Sequence, residues 1–143
     1  MRPPEEAIQR LALQWFAKAN ADFDVAVHLM REGARFRDIV CFHSQQAAET
    51  YLKALLVRHQ LEFPKTHDIK DLLDLLETVY PAAAEALRDA EFLTPFGVKI
   101  RYPGDFPETL PDVEKKAVDL ASRVKEAVTA LLNPYVPSDQ LAR

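Results

Sequence analysis

The chain has 143 residues, of which 48% are hydrophobic, and this is enough for one domain with a single core. Its 18 Lys and Arg residues against 22 Asp and Glu residues give a net charge of −4, which excludes general attraction to nucleic acid or to an anionic membrane. The single cysteine, Cys41, excludes an intrachain disulfide and a cysteine-cluster zinc site. Because the N-terminus is acidic and no apolar run is long enough for a membrane span, we expect a cytoplasmic protein that does not use a membrane.

The apolar positions predict an all-α fold that begins with two long helices. Pro3 and Pro4 favour a helix start, and apolar residues at three- and four-residue steps extend the first helix to about Arg31, with Gly33 as its stop. A second predicted helix covers about residues 36–59. Because the turn between them is short, the two long helices should pack antiparallel, in an up-and-down bundle of four-helix type with about five helices.

Two shorter helices are predicted after the long pair. We expect Thr66 to cap the third helix, whose apolar positions run from Ile69 to Val79. Pro81 should open a short fourth helix that ends near Leu93.

The C-terminal third of the chain contains a loop, a last helix and a tail. Residues 94–110 have three prolines and two glycines but no helical pattern, so they are predicted as a functional or a mobile loop. The fifth predicted helix starts at a capping box formed by Thr109 and Asp112. We assign residues 1–134 to one domain and residues 135–143 to a loose tail.

Four polar residues stand out within the second helix, namely Gln45, Gln46, Glu49 and Lys53. A buried amide without a partner costs about 1–3 kcal/mol, so two adjacent glutamines among apolar residues need partners. The group could line a groove, satisfy buried polar groups of another helix or form part of a symmetric dimer interface, and we favour a structural or interface role. Gln45, Gln46 and Glu49 are the interface or polar-groove candidates, and Lys53 is a candidate for nucleotide or partner binding.

Further candidates for nucleotide or partner binding lie in the predicted loop and before the third helix. Lys99, Arg101 and Tyr102 precede Pro103, which biases Tyr102 toward an extended conformation. A guanidinium beside a phenol suits phosphate binding and base stacking, while a salt bridge for Arg101 and packing for Tyr102 are equally compatible with the sequence. His67, in the first turn of the third helix, is the last candidate, although a local hydrogen bond is the commoner role of such a histidine.

Templates for metal and nucleophile chemistry are missing from the sequence. No His lies four residues from another His and no Glu stands three residues before a His, which excludes a zincin helix and a ferritin-like di-iron pair. A phosphate-binding glycine loop is also missing. We therefore predict no catalytic residue, no metal and no cofactor, and we limit any nucleic-acid recognition to a phosphate group or a short RNA end.

Four motifs resemble those of the HEPN family of small helical proteins: Gln45-Gln46-Ala47-Ala48-Glu49, Leu52-Lys53-Ala54-Leu55-Leu56, Thr66-His67-Asp68 and Arg101-Tyr102-Pro103. The resemblance implies a helical bundle that homodimerises and that pairs with a nucleotidyltransferase encoded beside it. It also implies that nucleotide or RNA is the associated ligand. Because several members of the family are toxins, it further implies a toxin–antitoxin-like pair.

The resemblance is incomplete at the site that HEPN ribonucleases use. Those members carry an Arg followed after four to six residues by a His, whereas Phe106, Pro107 and Glu108 occupy these positions after Arg101, and no histidine follows His67. Our leading interpretation is therefore a non-catalytic subunit that forms a homodimer and binds a nucleotidyltransferase partner and a nucleotide. A HEPN ribonuclease toxin and a structural dimer without a ligand are the alternatives.

Overall fold

The computed structural model describes residues 4–98 and 112–141, and helices and turns are the only secondary structure in these two ranges. The α-helices described are α1 (Glu5–Glu32), α2 (Arg37–Arg58), α3 (Ile69–Leu76), α4 (Pro81–Ala86), α5 (Thr94–Val98), α6 (Val113–Leu132) and α7 (Ser138–Leu141). Two 3₁₀ helices, Ala34–Phe36 and Arg88–Leu93, precede α2 and α5. The predicted all-α fold is confirmed. None of the described helices combines the length and the apolar character that crossing a membrane requires.

The long helices α1 and α2 pack antiparallel, as the sequence predicts. Glu5 at the start of α1 forms an ion pair with Arg58 at the end of α2, and Asp22 further along α1 contacts His43 near the start of α2. Gly33 ends α1 with a φ of 120°, a conformation that favours glycine because it has no Cβ. The predicted stop at Gly33 is therefore confirmed.

α2 occupies the centre of the bundle. Helices α1, α3, α5 and α6 all pack against it, and every residue from position 47 to position 56 is buried. α6 runs parallel to α2, because Arg37 and Glu114 pair at the starts of the two helices while Tyr135, just beyond α6, contacts Arg58 at the end of α2. The central position of α2 means that its polar residues need partners inside the protein.

The start of α3 differs from the prediction at its cap. Asp68, and not Thr66, is the N-cap residue, because its carboxylate accepts a hydrogen bond from Lys70 N at 3.0 Å. Thr66 Oγ1 accepts a hydrogen bond from Asp68 N at 3.0 Å and donates one to Asp71 Oδ2 at 3.0 Å. These bonds make the connection before α3 a defined turn. α3 is also shorter than predicted.

The region between α3 and α6 contains more separate helices than the sequence predicts. The predicted fourth helix is divided, since α4 ends at Ala86 and a 3₁₀ helix follows. The prediction that residues 94–110 lack helical structure is wrong for Thr94–Val98, which form α5. Ile69 N donates to Thr94 Oγ1 at 3.2 Å, so the starts of α3 and α5 are joined. The rest of the predicted loop, residues 99–110, lies outside the described residues.

The start of α6 and the residues after it also differ from the prediction. α6 begins at Val113, so Asp112 is its N-cap residue rather than a first-turn residue, and the Asp112 side chain makes no capping hydrogen bond. The predicted capping box therefore does not form at this position, and its other member, Thr109, lies outside the described residues. Val136 and Leu141 are buried against the core and α7 packs on α1, in contrast to the loose tail that we expected.

Candidate functional site

Three polar residues of α2 form one buried line. Gln45, Glu49 and Lys53 are spaced four residues apart, which places them on one side of the helix. Only 0%, 5% and 7% of their surfaces are exposed. Buried charges are tolerated when they are paired and hydrogen-bonded. This set, the α2 polar line, finds its partners within itself and in the connection between α2 and α3.

Glu49 is the centre of the α2 polar line. Its Oε1 accepts a hydrogen bond from Gln45 Nε2 at 3.0 Å and lies 2.9 Å from His67 Nδ1. Its Oε2 accepts a hydrogen bond from Lys53 Nζ at 2.9 Å. Hydrogen bonds to an ionised group are roughly twice as strong as those between neutral groups. Glu49 therefore ties the middle of α2 firmly to the residues that precede α3.

Lys53 holds the backbone of the same connection. Its ammonium donates to the carbonyl oxygen of Thr66 at 3.1 Å as well as to Glu49. It also lies 5.9 Å and 5.5 Å from the ring centroids of Trp15 and Phe63, within the range of cation–π attraction. The structure thus places this candidate for nucleotide or partner binding inside the protomer, with its charge paired to a carboxylate.

Gln45 connects the polar line to α5. Its Nε2 donates to the carbonyl oxygen of His67 at 3.1 Å as well as to Glu49. A Cβ added at Gly97 would overlap the Gln45 amide, so a side chain at this position would displace Gln45 where α5 approaches α2. Gln45 Oε1 is buried and has no hydrogen-bond partner among the described residues. Gln45 therefore fixes both the His67 backbone and the approach of α5.

His67 is the exposed member of this cluster. Its side chain is 55% exposed, whereas the Glu49 side chain that contacts it is 6% exposed. Gln45 holds its backbone carbonyl and Glu49 holds its ring, so the residue is held at one main-chain and one side-chain point. Of the two ligand-binding candidates that lie in the described ranges, Lys53 is buried and His67 reaches the surface.

Gln46 differs in burial from the other two interface candidates, Gln45 and Glu49, which are buried inside the protomer. It is half-buried, and Phe42, which is 38% exposed, stands four residues before it. Ile39 of α2 and Val25 of the neighbouring α1 are 41% and 39% exposed. We call Val25, Ile39, Phe42 and Gln46 the α1–α2 surface patch.

A second carboxylate–histidine pair lies beside the surface patch and was missed by the sequence analysis. His43 Nδ1 is 2.9 Å from Asp22 Oδ1, and the two side chains are 27% and 19% exposed. The rings of Phe42 and His43 pack edge to face with their centroids 5.2 Å apart. Because Asp22 and His43 lie on different helices, only the register of the antiparallel pair brings them together. Aligning the two predicted helices antiparallel would have indicated this contact from the sequence.

Lys99, Arg101 and Tyr102 lie outside the described residues, and their roles stay predictions. Within residues 4–98 and 112–141, no group of three or more His, Cys, Asp or Glu side chains could hold a metal ion. Burial raises the pKa of the Cys41 thiol to about 12, so this thiol stays protonated and is a weak nucleophile.

The comparison with known proteins identifies the family. A family model described as the HEPN domain matches residues 12–131, a range that includes the α2 polar line, the α1–α2 surface patch and nearly all of α6. No curated protein and no solved structure matches the chain. Because the matched range covers well over half of the 143 residues, the chain belongs to the HEPN domain family.

Proposed function

We propose that this HEPN protein is a non-catalytic subunit that forms a homodimer and binds a nucleotidyltransferase partner and a nucleotide, as in a toxin–antitoxin-like pair. The α1–α2 surface patch is the observation that carries the homodimer. Ile39, Phe42 and Gln46 follow each other at three- and four-residue steps, which places them on one face of α2. The Asp22 contact with His43 brings the part of α1 that holds Val25 beside the same stretch of α2.

The patch has the chemical character of a protein interface. Single exposed apolar residues are normal on a protein surface, but adjacent ones rimmed by polar groups are typical of interaction sites. Here Ile39 and Phe42 are 41% and 38% exposed on the stretch of α2 that also carries His43 and Gln46, and Val25 is 39% exposed three residues after Asp22, which contacts His43. Two copies related by a twofold axis would bury this surface against itself, as in most homodimers.

Light scattering on the purified protein tests the homodimer. We expect a mass of about twice the 16.2 kDa of one chain. Phe42→Asp should give a folded monomer, because a carboxylate at the centre of the apolar patch would be desolvated without a partner. Val79→Asp is the matched control, since Val79 has the same 38% exposure but lies after α3, outside the patch. A wild-type protein that stays monomeric at tens of micromolar, or a Phe42→Asp variant that stays dimeric, would rule out this interface.

The nucleotide and partner roles are supported by His67 and by the predicted loop residues Lys99, Arg101 and Tyr102. The exposed imidazole of His67 stands on a rigidly held turn, and a guanidinium beside a phenol suits phosphate and base recognition. Arg101→Ala should weaken nucleotide binding, or co-purification with the nucleotidyltransferase encoded by a neighbouring gene, more than it lowers the melting temperature. Arg123→Ala removes an exposed guanidinium of α6 and is the control. Equal binding by both variants and the wild type would remove Arg101 from the site.

A ribonuclease toxin is the second candidate, and the carboxylate-held His67 is the observation that favours it. A histidine oriented by a carboxylate is a common general base or acid. No histidine follows Arg101 in the chain, so we expect the purified protein to leave single-stranded and structured RNA intact in the presence of a chelator. Cleavage that is lost in both Arg101→Ala and His67→Ala, with the fold retained, would favour the toxin over the non-catalytic subunit.

A further inference from the structure

The protonation pattern of the cluster around Glu49 follows from its hydrogen bonds. Lys53 Nζ has only protons to offer, so Glu49 Oε2 accepts from it. Gln45 must direct its NH₂ group toward Glu49 Oε1, because the same nitrogen also donates to the carbonyl oxygen of His67, where the amide oxygen would be repelled. Both Glu49 oxygens therefore accept hydrogen bonds, as an ionised carboxylate does. His67 Nδ1, 2.9 Å from Glu49 Oε1, must be a protonated nitrogen that donates to it.

The second nitrogen of the ring is then left as an acceptor. A neutral imidazole carries one proton, so a proton on Nδ1 leaves a lone pair on Nε2. No hydrogen bond joins His67 Nε2 to another described residue, and the His67 side chain is 55% exposed. The Lys53 ammonium balances the Glu49 carboxylate, so the pair adds no net charge beside the ring.

A role in packing alone does not account for the hydrogen bonds of this cluster. A buried ion pair is often no more stabilising than well-packed apolar residues of similar volume, because both charges lose their hydration. Lys53 donates a hydrogen bond to the carbonyl oxygen of Thr66, and Gln45 donates one to the carbonyl oxygen of His67. These two bonds fix the main chain from which the imidazole projects. The Thr66 hydroxyl accepts a further bond from Asp68 N within the same turn. The imidazole is thereby held in position as well as in tautomer.

We propose that Glu49 is a positioning residue that fixes the Nδ1–H tautomer of His67, and that His67 Nε2 accepts a hydrogen bond from a ribose hydroxyl of a bound nucleotide. The acceptor character of Nε2 is compatible with a ribose hydroxyl and not with an ionised phosphate oxygen. Phosphate oxygens carry no proton to donate to it at neutral pH, whereas the 2′- and 3′-hydroxyls of ribose do. The assignment of a ribose contact rests on the proposed nucleotide binding. The Nδ1–H tautomer of His67 is independent of nucleotide binding.

The tautomer is tested first, without any ligand. Two-bond proton–nitrogen correlation spectra of ¹⁵N-histidine-labelled protein at about pH 8, above the ordinary titration range of histidine, report which ring nitrogen carries the proton. We expect His67 to be protonated at Nδ1 in the wild type. Glu49→Gln should move it toward the mixture of tautomers seen for free histidine. Asp22→Asn is the matched control, since it should alter the His43 signal and leave that of His67 unchanged.

If Glu49→Gln does not fold because Lys53 is left unpaired, a second variant takes its place. The double substitution Glu49→Met with Lys53→Met removes both charges and the acceptor that faces His67, and keeps approximately the original volumes. It should give the same tautomer mixture at His67. A wild-type His67 protonated at Nε2, or an unchanged Nδ1–H signal in the double variant, would overturn the positioning role of Glu49.

Calorimetric titration of the full chain with ATP, 2′-deoxy-ATP and 3′-deoxy-ATP tests the ribose contact. We expect the wild type to bind ATP about tenfold more tightly than one of the two deoxy analogues. His67→Phe should remove this preference while keeping the ring volume. A loss of affinity for all three nucleotides without any change in preference would indicate a phosphate contact and overturn the ribose assignment. Failure of all three to bind would overturn nucleotide binding and the ribose contact together, whatever the tautomer experiment shows.

Discussion

The two halves of α2 differ in which kinds of side chain are exposed to solvent. In the first half, residues 37–46, the apolar side chains of Ile39 and Phe42 are 41% and 38% exposed. In the second half, residues 47–56, the polar side chains of Glu49, Thr50 and Lys53 are buried. Exposure on this helix therefore does not follow the hydrophobicity of its residues alone.

The difference explains what each half does. Residues 47–56 are all buried, against other helices and against the connection between α2 and α3, so every polar group there must find a partner within the protein. Residues 37–46 leave one face of α2 uncovered, where apolar side chains offer a surface to another protein. Buried polar residues thus indicate internal architecture in this protein, and exposed apolar residues form the surface that we propose as the homodimer interface.

The largest expected effect comes from removing the carboxylate in the enclosed half. Glu49→Ala leaves the Lys53 ammonium buried without its counter-charge and removes the acceptor of two further groups. Breaking a buried ion pair in this way costs about 3–5 kcal/mol of unfolding free energy. Denaturant unfolding followed by circular dichroism measures the loss.

The matched control for Glu49→Ala replaces the pair as a whole. Glu49→Ala combined with Lys53→Met leaves no unpaired charge and should recover much of the lost stability. If the single substitution costs less than about 1 kcal/mol, the Lys53 ammonium reaches water in solution and the second half of α2 is less enclosed than it is here.

A smaller effect is expected at the contact between α2 and α5. Gly97→Ala would place a methyl group into the Gln45 amide, and such overpacking costs about 1–3 kcal/mol. Thermal and denaturant unfolding measure this loss. Because alanine favours a helix over glycine, the intrinsic propensity at this position acts in the opposite direction.

The control at this contact is a double-mutant cycle with Gln45→Ala. Shortening Gln45 removes the group that a methyl at position 97 would meet, so Gly97→Ala should cost little in the Gln45→Ala background. Equal costs of Gly97→Ala in both backgrounds would show that the two residues do not determine the approach of α5.

The helices that the sequence predicts well are those whose signals are local. Apolar periodicity and the Gly33 stop give α1 and the core of α2 to within one or two residues. Thr66 and Asp68 are both good capping residues two positions apart, and their sequence spacing does not show which of them accepts the bond from Lys70 N. α5 contains a proline and a glycine, so its helix depends on contacts with α2 and α3 that no local pattern reveals.

The sequence predicts the candidate site only in part, because several of its contacts join residues that are far apart in the chain. Adjacent glutamines in an apolar helix indicate that partners are needed, but the partners of Gln45 are Glu49 nearby, the carbonyl of His67 and the Gly97 contact, the last two far along the chain. Periodicity treats Lys53 as a surface residue because it is charged. Its burial depends on the helices that surround α2, and their arrangement is a property of the whole fold.

The end of the enclosed half gives a pH-dependent prediction. His59 follows α2, and its ring packs against those of Tyr80 and Tyr135, with its Nε2 2.9 Å from the Tyr80 hydroxyl. Burial, and then the nearby Arg58, lower the pKa of His59 below its ordinary value of 6.5. The unfolded chain therefore binds the proton at a higher pH than the folded chain does. The stability that neutral His59 contributes is present above the ordinary pKa and is lost as the pH falls below it.

Unfolding free energies at about pH 7.5 and pH 5, on either side of the ordinary histidine pKa, measure this effect. The wild type should lose more stability between the two conditions than His59→Gln, which lacks the titrating ring but keeps a polar side chain beside Tyr80. The other histidines and the carboxylates titrate in both proteins, so the difference between the two losses isolates His59. Equal losses would place the His59 ring in contact with water.

The smallest effect is expected for an exposed ion pair with the same spacing as the pair in the enclosed half of α2. Lys115 and Asp119 of α6 are four residues apart and 3.0 Å from nitrogen to oxygen, close to the 2.9 Å between Lys53 and Glu49. Their side chains are 69% and 57% exposed, so water and salt screen the attraction. Asp119→Ala should therefore change the unfolding free energy by less than about 0.5 kcal/mol. If Asp119→Ala lowers the unfolding free energy as much as Glu49→Ala does, the four-residue spacing would set the strength of these ion pairs. The burial of α2 would then not be the cause of the difference that we expect.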